Sequence, residues 1–317
     1  MTEAGLVHVA VAVIVDDEDR VLVSRRHEHA HQGGLWEFPG GKLEAGETVL
    51  QALERELAEE LGLVVEAARP FTRIRHDYAD KSVLLDVWKV HHFSGQAQGL
   101  EGQPIAWRHL PELRAAEFPA ANLPIIRRLS LPFWMAITPQ LDSLAQLHSL
   151  LDHYFSAGIG LIQLRQKSLP EVDYLKWFHA AAERCRVAQV QLLFNHDIAS
   201  CPAGIGAGQH LSSRRLMACS TRPVTGHSLL AASCHNLEEL RKAESLGADF
   251  ATLSPVLATR DYSEDQLLGW PAFQSLRHQV QIPVYALGGL SREDRQQARD
   301  AGADGIAGIS LFASQGP

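Results

Sequence analysis

Cysteine is scarce and poorly spaced for chemistry. The four thiols, Cys185, Cys201, Cys219 and Cys234, all lie in the second half and form no C-x-x-C pair. That argues against a disulfide framework and against a zinc site. Long apolar runs are missing too, and none reaches the length that spans a bilayer. The opening stretch, MTEAGLVHVAVAVIV, has no basic segment and meets Asp16 and Asp17 straight after a short apolar run. It reads as a first β-strand rather than a signal peptide, and the expected location is the cytoplasm. Positive charge is in the minority, with 29 Lys and Arg against 37 Asp and Glu and a net charge of −8. A general grip on nucleic-acid backbone needs a basic face, so that class is excluded, and no membrane role is expected. A nucleotide-sized ligand held locally through a metal stays compatible.

What is present is a soluble globular composition, 46% hydrophobic and 21% charged, over 317 residues. That length suits two domains or one large barrel. In the first part, strand patterns alternate with turns. VHVAVAVIV (Val7 to Val15) and VLVSRR (Val21 to Arg26), joined by a polar turn, predict a hairpin. Thr48 to Leu61 is helical in period, with Leu50, Leu53, Leu57 and Leu61 forming an apolar stripe. SVLLDVWKV (Ser82 to Val90) is another strand and LPIIRRL (Leu123 to Leu129) a short closing helix. From Phe133 the rhythm changes to strand runs alternating with helical ones, eight strand candidates in all. Such βα alternation implies a parallel sheet, and eight units suggest a closed barrel. No clear helix is predicted between Phe194 and Ala232. The expected domains are 1–130 and 131–317.

The stretch GGKLEAGETVLQALERELAEELGL, Gly40 to Leu63, carries the first constellation. Glu56, Glu59 and Glu60 stand at i, i+3 and i+4, so three carboxylates share one face, opposite the leucine stripe. A charged run is usually a wet helix face. Here like charges repel on that face, and a hard divalent cation such as Mg²⁺ prefers oxygen ligands shared with phosphate. Gly41, Glu47, Arg55, Glu56, Leu57, Glu59, Glu60, Gly62 and Leu63 fill the pattern G-x5-E-x7-R-E-U-x-E-E-x-G-U, where U is aliphatic. This resembles the Nudix box without a departure. A chance match at a given start is below about 10⁻⁸ at average residue usage.

The resemblance extends over about Val7 to Leu129 and is to the MutT branch, which hydrolyses 8-oxo-dGTP. It implies a Nudix α/β/α sandwich with a mixed sheet. It implies Mg²⁺, with Mn²⁺ as the alternative ion, bound by the Gly40 carbonyl, Glu56, Glu59, Glu60 and Glu101. A carboxylate of this group takes a water proton, and Arg55 and Glu47 hold the loop against the helix. It also implies a base pocket: Asn122 reads the oxidised purine, Phe38 and Tyr78 form walls, and Arg26 and Lys81 lie nearby. The products are a nucleoside monophosphate and pyrophosphate. Two residues depart from the branch. Lys81 stands where it carries arginine, and Ala121 where an aspartate precedes the asparagine. Taken alone, Asn122 beside prolines reads as a turn or cap, and Phe38 and Tyr78 as core. The histidines His27, His29 and His31 read as a solvated loop rather than a metal ladder.

The second constellation lies in the barrel. Gln163, Arg165 and Lys167 alternate along IQLRQK and so face one side. Gly288 and Gly289 follow one strand and Ser310 lies near the end of the last, where many TIM barrels bind phosphate. These features resemble the thiamine-phosphate synthase family and its tautomerase relatives, over about Phe133 to Phe312. The resemblance implies a TIM (β/α)8 barrel that takes a phosphate-bearing small molecule. It adds Asn195, Ser233, His235 and Thr259 to the site. In the synthases, Mg²⁺ binds the leaving pyrophosphate. This sequence departs there: the family's asparagine–aspartate pair reads Asn195-His196, its second aspartate motif reads His210-Leu211-Ser212-Ser213-Arg214, so both metal aspartates are lost, and Thr259-Arg260-Asp261-Tyr262 lacks a lysine. The expectation is a MutT-type hydrolase fused to a catalytically altered barrel. The alternative is a thiamine-pathway enzyme whose barrel is active and whose first domain removes damaged intermediates. Barrel ligand and oligomeric state are left open.

Overall fold

The computed structural model describes residues 6–312 apart from 17, 19, 197–206, 225–227, 260–262, 264 and 265. Two compact units divide the chain, Met1–Ser130 and Leu131–Pro317.

In the first unit, β1 (Val7–Ile14) is buried on both faces. Ala10, Ala12 and Ile14 join Leu22 and the helix residues Ala52, Leu53, Leu57 and Leu61 in one core. Val11 and Val13 point to a second core with Phe38, Val87, Phe118 and Ile125. Period-two alternation thus makes β1 the middle layer of an α/β/α sandwich. Helix α1 (Val49–Leu61) starts at a Thr48–Gln51 capping box and ends at Gly62, whose φ of 68° suits a left-handed cap. Its inward stripe is Ala52, Leu53, Leu57 and Leu61; Leu50, expected there, is only half-buried.

The hairpin expected from the first two strand patterns does not form. β1 pairs in parallel with β5 (Ser82–Ser94), in the order β1-β5-β4. β2 (Arg20–Arg25) pairs antiparallel with β3 (Trp36–Glu37) and β6 (Ile105–His109). One bridge, Val15 to Val21, is what remains between β1 and β2. The cause is competition for an edge: the loop from Pro39 to Leu43 bonds to β1, with Ala12 N donating to Pro39 O and Ala10 N to Gly41 O, both at 2.8 Å. Strand β4 (Val64–Asp77), not singled out by the pattern, is broken by register shifts and pairs along β5. Helix α2 (Leu123–Leu129) closes the unit as expected.

The second unit is a closed eight-stranded parallel barrel, β7 (Trp134–Ile137), β8 (Leu161–Arg165), β9 (Gln191–Asn195), β10 (Gly208–Leu211), β11 (Leu230–Cys234), β12 (Phe250–Leu253), β13 (Val284–Leu287) and β14 (Gly305–Gly308). Its floor is packed by Met135, Leu161, Leu193, Ala231, Phe250 and Tyr285. Gly305 belongs to this packing: a Cβ there would meet the Tyr285 ring at 2.4 Å. Around it run α3 (Leu144–Ser156), α4 (Glu171–Val187), α5 (Ser213–Ala218), α6 (Leu237–Ser245), α7 (Gly269–Arg277) and α8 (Arg295–Asp300). Two of these correct the sequence reading. Short α5 lies in the stretch where no helix was expected, and α7 was not singled out. α5 has one fully apolar turn residue, Leu216, to bury, and so leaves little periodic signal. Cys185, Cys219 and Cys234 are free thiols. No helix among the described residues is long and apolar enough to cross a membrane.

Two candidate functional sites

The first site is built where the Pro39–Leu43 loop meets α1. Gly40 has a φ of 137°, and a Cβ on it would meet the Ala10 carbonyl oxygen at 2.1 Å, so only glycine lets the loop lie against β1. Gly41 is a cradle: its missing Cβ would fall 2.0 Å from Oε1 of Glu56. Arg55 organises the rest. It donates from Nε and Nη2 to the two oxygens of Glu47 at 2.8 and 2.9 Å, from Nη1 to Glu56 at 2.8 Å, and from Nη2 to the Lys42 carbonyl at 3.2 Å. The guanidinium holds the Glu47 carboxyl down at about 2.

The carboxylates do not form a closed cage. Among the described residues, no three acidic, histidine or cysteine side chains are arranged as a ready metal site. Glu59 stands apart, its side chain 60% exposed with Arg55 at 3.4 Å. The expected convergence of Glu56, Glu59 and Glu60 is therefore only partial, because Arg55 draws the first two sideways. Charge nevertheless accumulates on Glu60. Burial, followed by the negative charges of Glu56, Glu37 and Glu101, pushes its carboxyl up to about 8, against a lowering contact from the Gly40 backbone. Glu60 thus feels the charge of three other carboxylates, one of them, Glu101, on an exposed loop. That donor set fits a hard divalent cation.

Glu37 is the residue that sequence reasoning missed. It sits on β3 and pairs with Nη1 of Arg26, whose Nε donates to the His31 carbonyl at 2.9 Å. Burial raises its carboxyl despite that partner. Its signal was its place, one residue before Phe38 and three before Gly40.

Next to Glu37 come the residues expected to form a base pocket. Phe38 and Asn122 are buried at 3% and 8% exposure, and the Phe38 N–H donates to Oδ1 of Asn122 at 3.5 Å, the long limit of a hydrogen bond. Asn122 occupies the N-cap position of α2 yet makes no capping bond, which weighs against the plain cap reading. Tyr78 Oη accepts from Ala121 N at 3.4 Å, and its ring is flanked by His31 and His76 at 5.0 and 4.4 Å. The Lys81 carbonyl accepts from Tyr78 N at 2.8 Å, placing that lysine on the same turn. His27 and His29 stack on each other in an exposed loop.

The second site is a cavity of about 1100 Å³ at the carboxyl ends of the barrel strands, reached by Gln163, Arg165, Lys167, Asn195, Ser233, His235, Thr259, Gly288, Gly289 and Ser310. Gly288 and Gly289 have φ of 105° and 68°, and a Cβ on Gly289 would meet the Ala258 carbonyl oxygen at 2.3 Å. Asn195 is partly structural, its Nδ2 donating to the His210 carbonyl at 2.9 Å. Nδ1 of His235 bonds the Ser254 carbonyl at 2.8 Å, which makes Nε2 the basic nitrogen. His210, two residues along from Gly208, lines the cavity floor; both its ring nitrogens and Gln163 Oε1 are buried without a partner. Burial drives the His210 pKa down to about 3, so the floor is polar but uncharged. Arg260, Asp261 and Tyr262 lie outside the described residues.

Two family models match the chain, a Nudix domain over residues 10–128 and thiamine monophosphate synthase over residues 134–312. The chain belongs to both families. Its Nudix domain is similar to the 8-oxo-dGTP diphosphatase of Escherichia coli, 39% identical over 121 residues, which cover 38% of this chain and 94% of that protein. Its synthase-family domain is similar to the putative thiamine-phosphate synthase 2 of Aquifex aeolicus, 32% identical over 184 residues, covering 58% of this chain and 99% of that protein. The thiamine-phosphate synthase of Anoxybacillus flavithermus is 30% identical over 191 residues, covering 59% of this chain and 87% of that protein. The synthase-family domain is thus a TIM-like barrel with its cavity at the strand ends, and the Nudix domain carries its box on α1.

Proposed function

We propose that the Nudix domain hydrolyses the α–β phosphoric anhydride of a nucleoside triphosphate of the 8-oxo-dGTP type, releasing pyrophosphate. The observation that carries this is the Glu60 carboxyl, pushed up to about 8 first by burial and then by the negative charges of Glu56, Glu37 and Glu101. Such a site gains most from a divalent cation and an anionic substrate together. Glu56, Glu59, Glu60, Glu101 and the Gly40 carbonyl would hold the ion. When bound, Mg²⁺ (or Mn²⁺) supplies charge neutralisation at phosphate and a more acidic water. Arg55 keeps the Glu56 carboxylate over Gly41 and ties α1 to the loop through Glu47. A carboxylate of the cluster accepts the proton of the attacking water. Asn122 reads the purine edge between Phe38 and Tyr78, and Arg26 is aimed by Glu37. Amide nitrogen and oxygen together offer both donors and an acceptor to an oxidised guanine.

The test is turnover of 8-oxo-dGTP against dGTP, with and without chelator, following nucleoside monophosphate and pyrophosphate. Equal turnover in chelator, or release of inorganic phosphate alone, sinks the reading.

For the barrel, the cavity supports binding of a phosphate-bearing small molecule at Gly288, Gly289 and Ser310, with the family's two aspartates lost from the Asn195-His196 and His210–Arg214 motifs. The reading is a ligand-binding domain in which synthesis is lost.

A further inference from the structure

Three of the carboxylates assigned to the hydrolase site, Glu56, Glu59 and Glu60, are set by helix α1, but Glu101 stands on an exposed loop between β5 and β6. A side chain on a loop is placed less firmly than one on a helix or strand. The structure shows what holds this loop. The last carbonyls of a helix have no partner within it. At the end of α1, the Leu61 carbonyl accepts from Gln98 N at 3.1 Å, and the Glu60 carbonyl accepts from Leu100 N at 2.9 Å. The Glu60 carbonyl takes a second donor, Nε2 of Gln103, at 3.0 Å. The other end of that amide, Oε1 of Gln103, accepts from the Glu101 N–H at 2.9 Å.

One side chain thus ties the backbone of Glu101 to the backbone of Glu60. Gln103 is buried, at 8% exposure, although Glu101 two residues before it is exposed. Its amide fits only one way round, because reversal would set N–H against N–H and carbonyl against carbonyl. The turn around it is tight. Gly102 N donates to the Gly99 carbonyl at 3.1 Å, and a Cβ on Gly99 would meet the Gln103 carbonyl oxygen at 1.9 Å. Beyond the turn, the Pro104 carbonyl accepts from Arg25 N at 2.8 Å, which fixes the far side of the loop to β2. The charge of Glu101 is felt at the Glu60 carboxyl, so the two side chains are neighbours as well as the two backbones.

We propose that Gln103 is a positioning residue of the hydrolase site: it sets Glu101 against Glu60, so that a carboxylate carried by a loop keeps a fixed place beside those carried by the helix. This rests on the Nudix reading above. It goes beyond that reading by assigning a residue whose own amide is spent on the protein at both ends and which acts through Glu101.

Binding of Mn²⁺ alone to the full chain tests it by calorimetry, alongside hydrogen exchange of residues 98–103 in EDTA and turnover of 8-oxo-dGTP. Gln103→Met keeps the bulk and removes both bonds. It is expected to weaken Mn²⁺ binding about 10- to 100-fold, the scale of losing a group that orients a metal ligand, and to speed exchange across the loop. In a Glu101→Gln background the same change is expected to weaken Mn²⁺ no further, because the carboxylate it positions is already gone. Gln103→Asn keeps an amide too short to span both partners; it is expected to repeat the loss and is the second variant should methionine disturb folding, which thermal melting follows. Mn²⁺ binding indifferent to both variants, in a wild type that binds the ion and cleaves 8-oxo-dGTP, overturns the inference alone. An equal loss with and without the Glu101 carboxylate also overturns it and assigns Gln103 to packing. A wild type that neither binds Mn²⁺ nor cleaves 8-oxo-dGTP overturns the inference and the Nudix reading together.

Discussion

The Glu56 carboxylate lies on Gly41 so closely that a Cβ at residue 41 would stand 2.0 Å from its Oε1. Arg55 Nη1 donates to the same oxygen at 2.8 Å. Gly41→Ala must therefore push Glu56 off its place without disturbing the leucine core beneath α1. A loss of roughly 10²-fold in turnover is expected, the scale of removing a main electrostatic stabiliser, with circular dichroism unchanged. Near-normal turnover would show that Glu56 needs no fixed position.

Glu60 makes the metal-free protein sensitive to pH in an unusual direction. Its folded carboxyl is raised to about 8 from an ordinary 4.5. The folded state then binds the proton more tightly than the unfolded state. Stability is complete below about 4.5 and falls as pH rises through about 8. Glu60→Gln removes that penalty. In EDTA the variant is expected to melt roughly several degrees above wild type at about pH 8 to 9, and to match it near pH 4, while losing activity. A wild-type melting temperature flat across the range would contradict the crowding.

Asn122→Ala separates recognition from structure. Loss of the amide is expected to cost on the order of 1–3 kcal/mol of discrimination between 8-oxo-dGTP and dGTP, by analogy with base-edge readout. The measurement is the ratio of kcat/KM values for the two nucleotides. An equal drop for both assigns Asn122 to the Phe38 contact alone.

Glu37 is expected to act through Arg26. Glu37→Gln keeps the shape but weakens the pair, so KM for the purine nucleotide rises more than kcat falls. Glu37→Ala with unaltered KM removes it from the pocket.

The barrel is expected not to join the pyrimidine and thiazole halves of thiamine phosphate, because no described lining residue is acidic. Mixing the two phosphorylated halves with Mg²⁺ and following product checks this. Robust synthesis would falsify the altered-site reading.

The sequence by itself determined the Nudix box, since its glycine, arginine and glutamates are fixed by spacing along one helix and its loop. It also determined the eight strands of the barrel and the helices α3, α4, α6 and α8, because these segments carry their own period. The α1 stripe at Leu53, Leu57 and Leu61 was legible for the same reason. Tertiary structure alone decided what depended on partners distant in the chain. β1 chose β5 over β2 because the Pro39–Leu43 loop covers its other edge. Glu37 joined the carboxylates because β3 carries it beside α1, which no local pattern encodes. His210 became a neutral floor because barrel closure buries it beyond reach of water. Local periodicity writes elements into sequence; burial, edge competition and the summed field of distant charges exist only once those elements have packed.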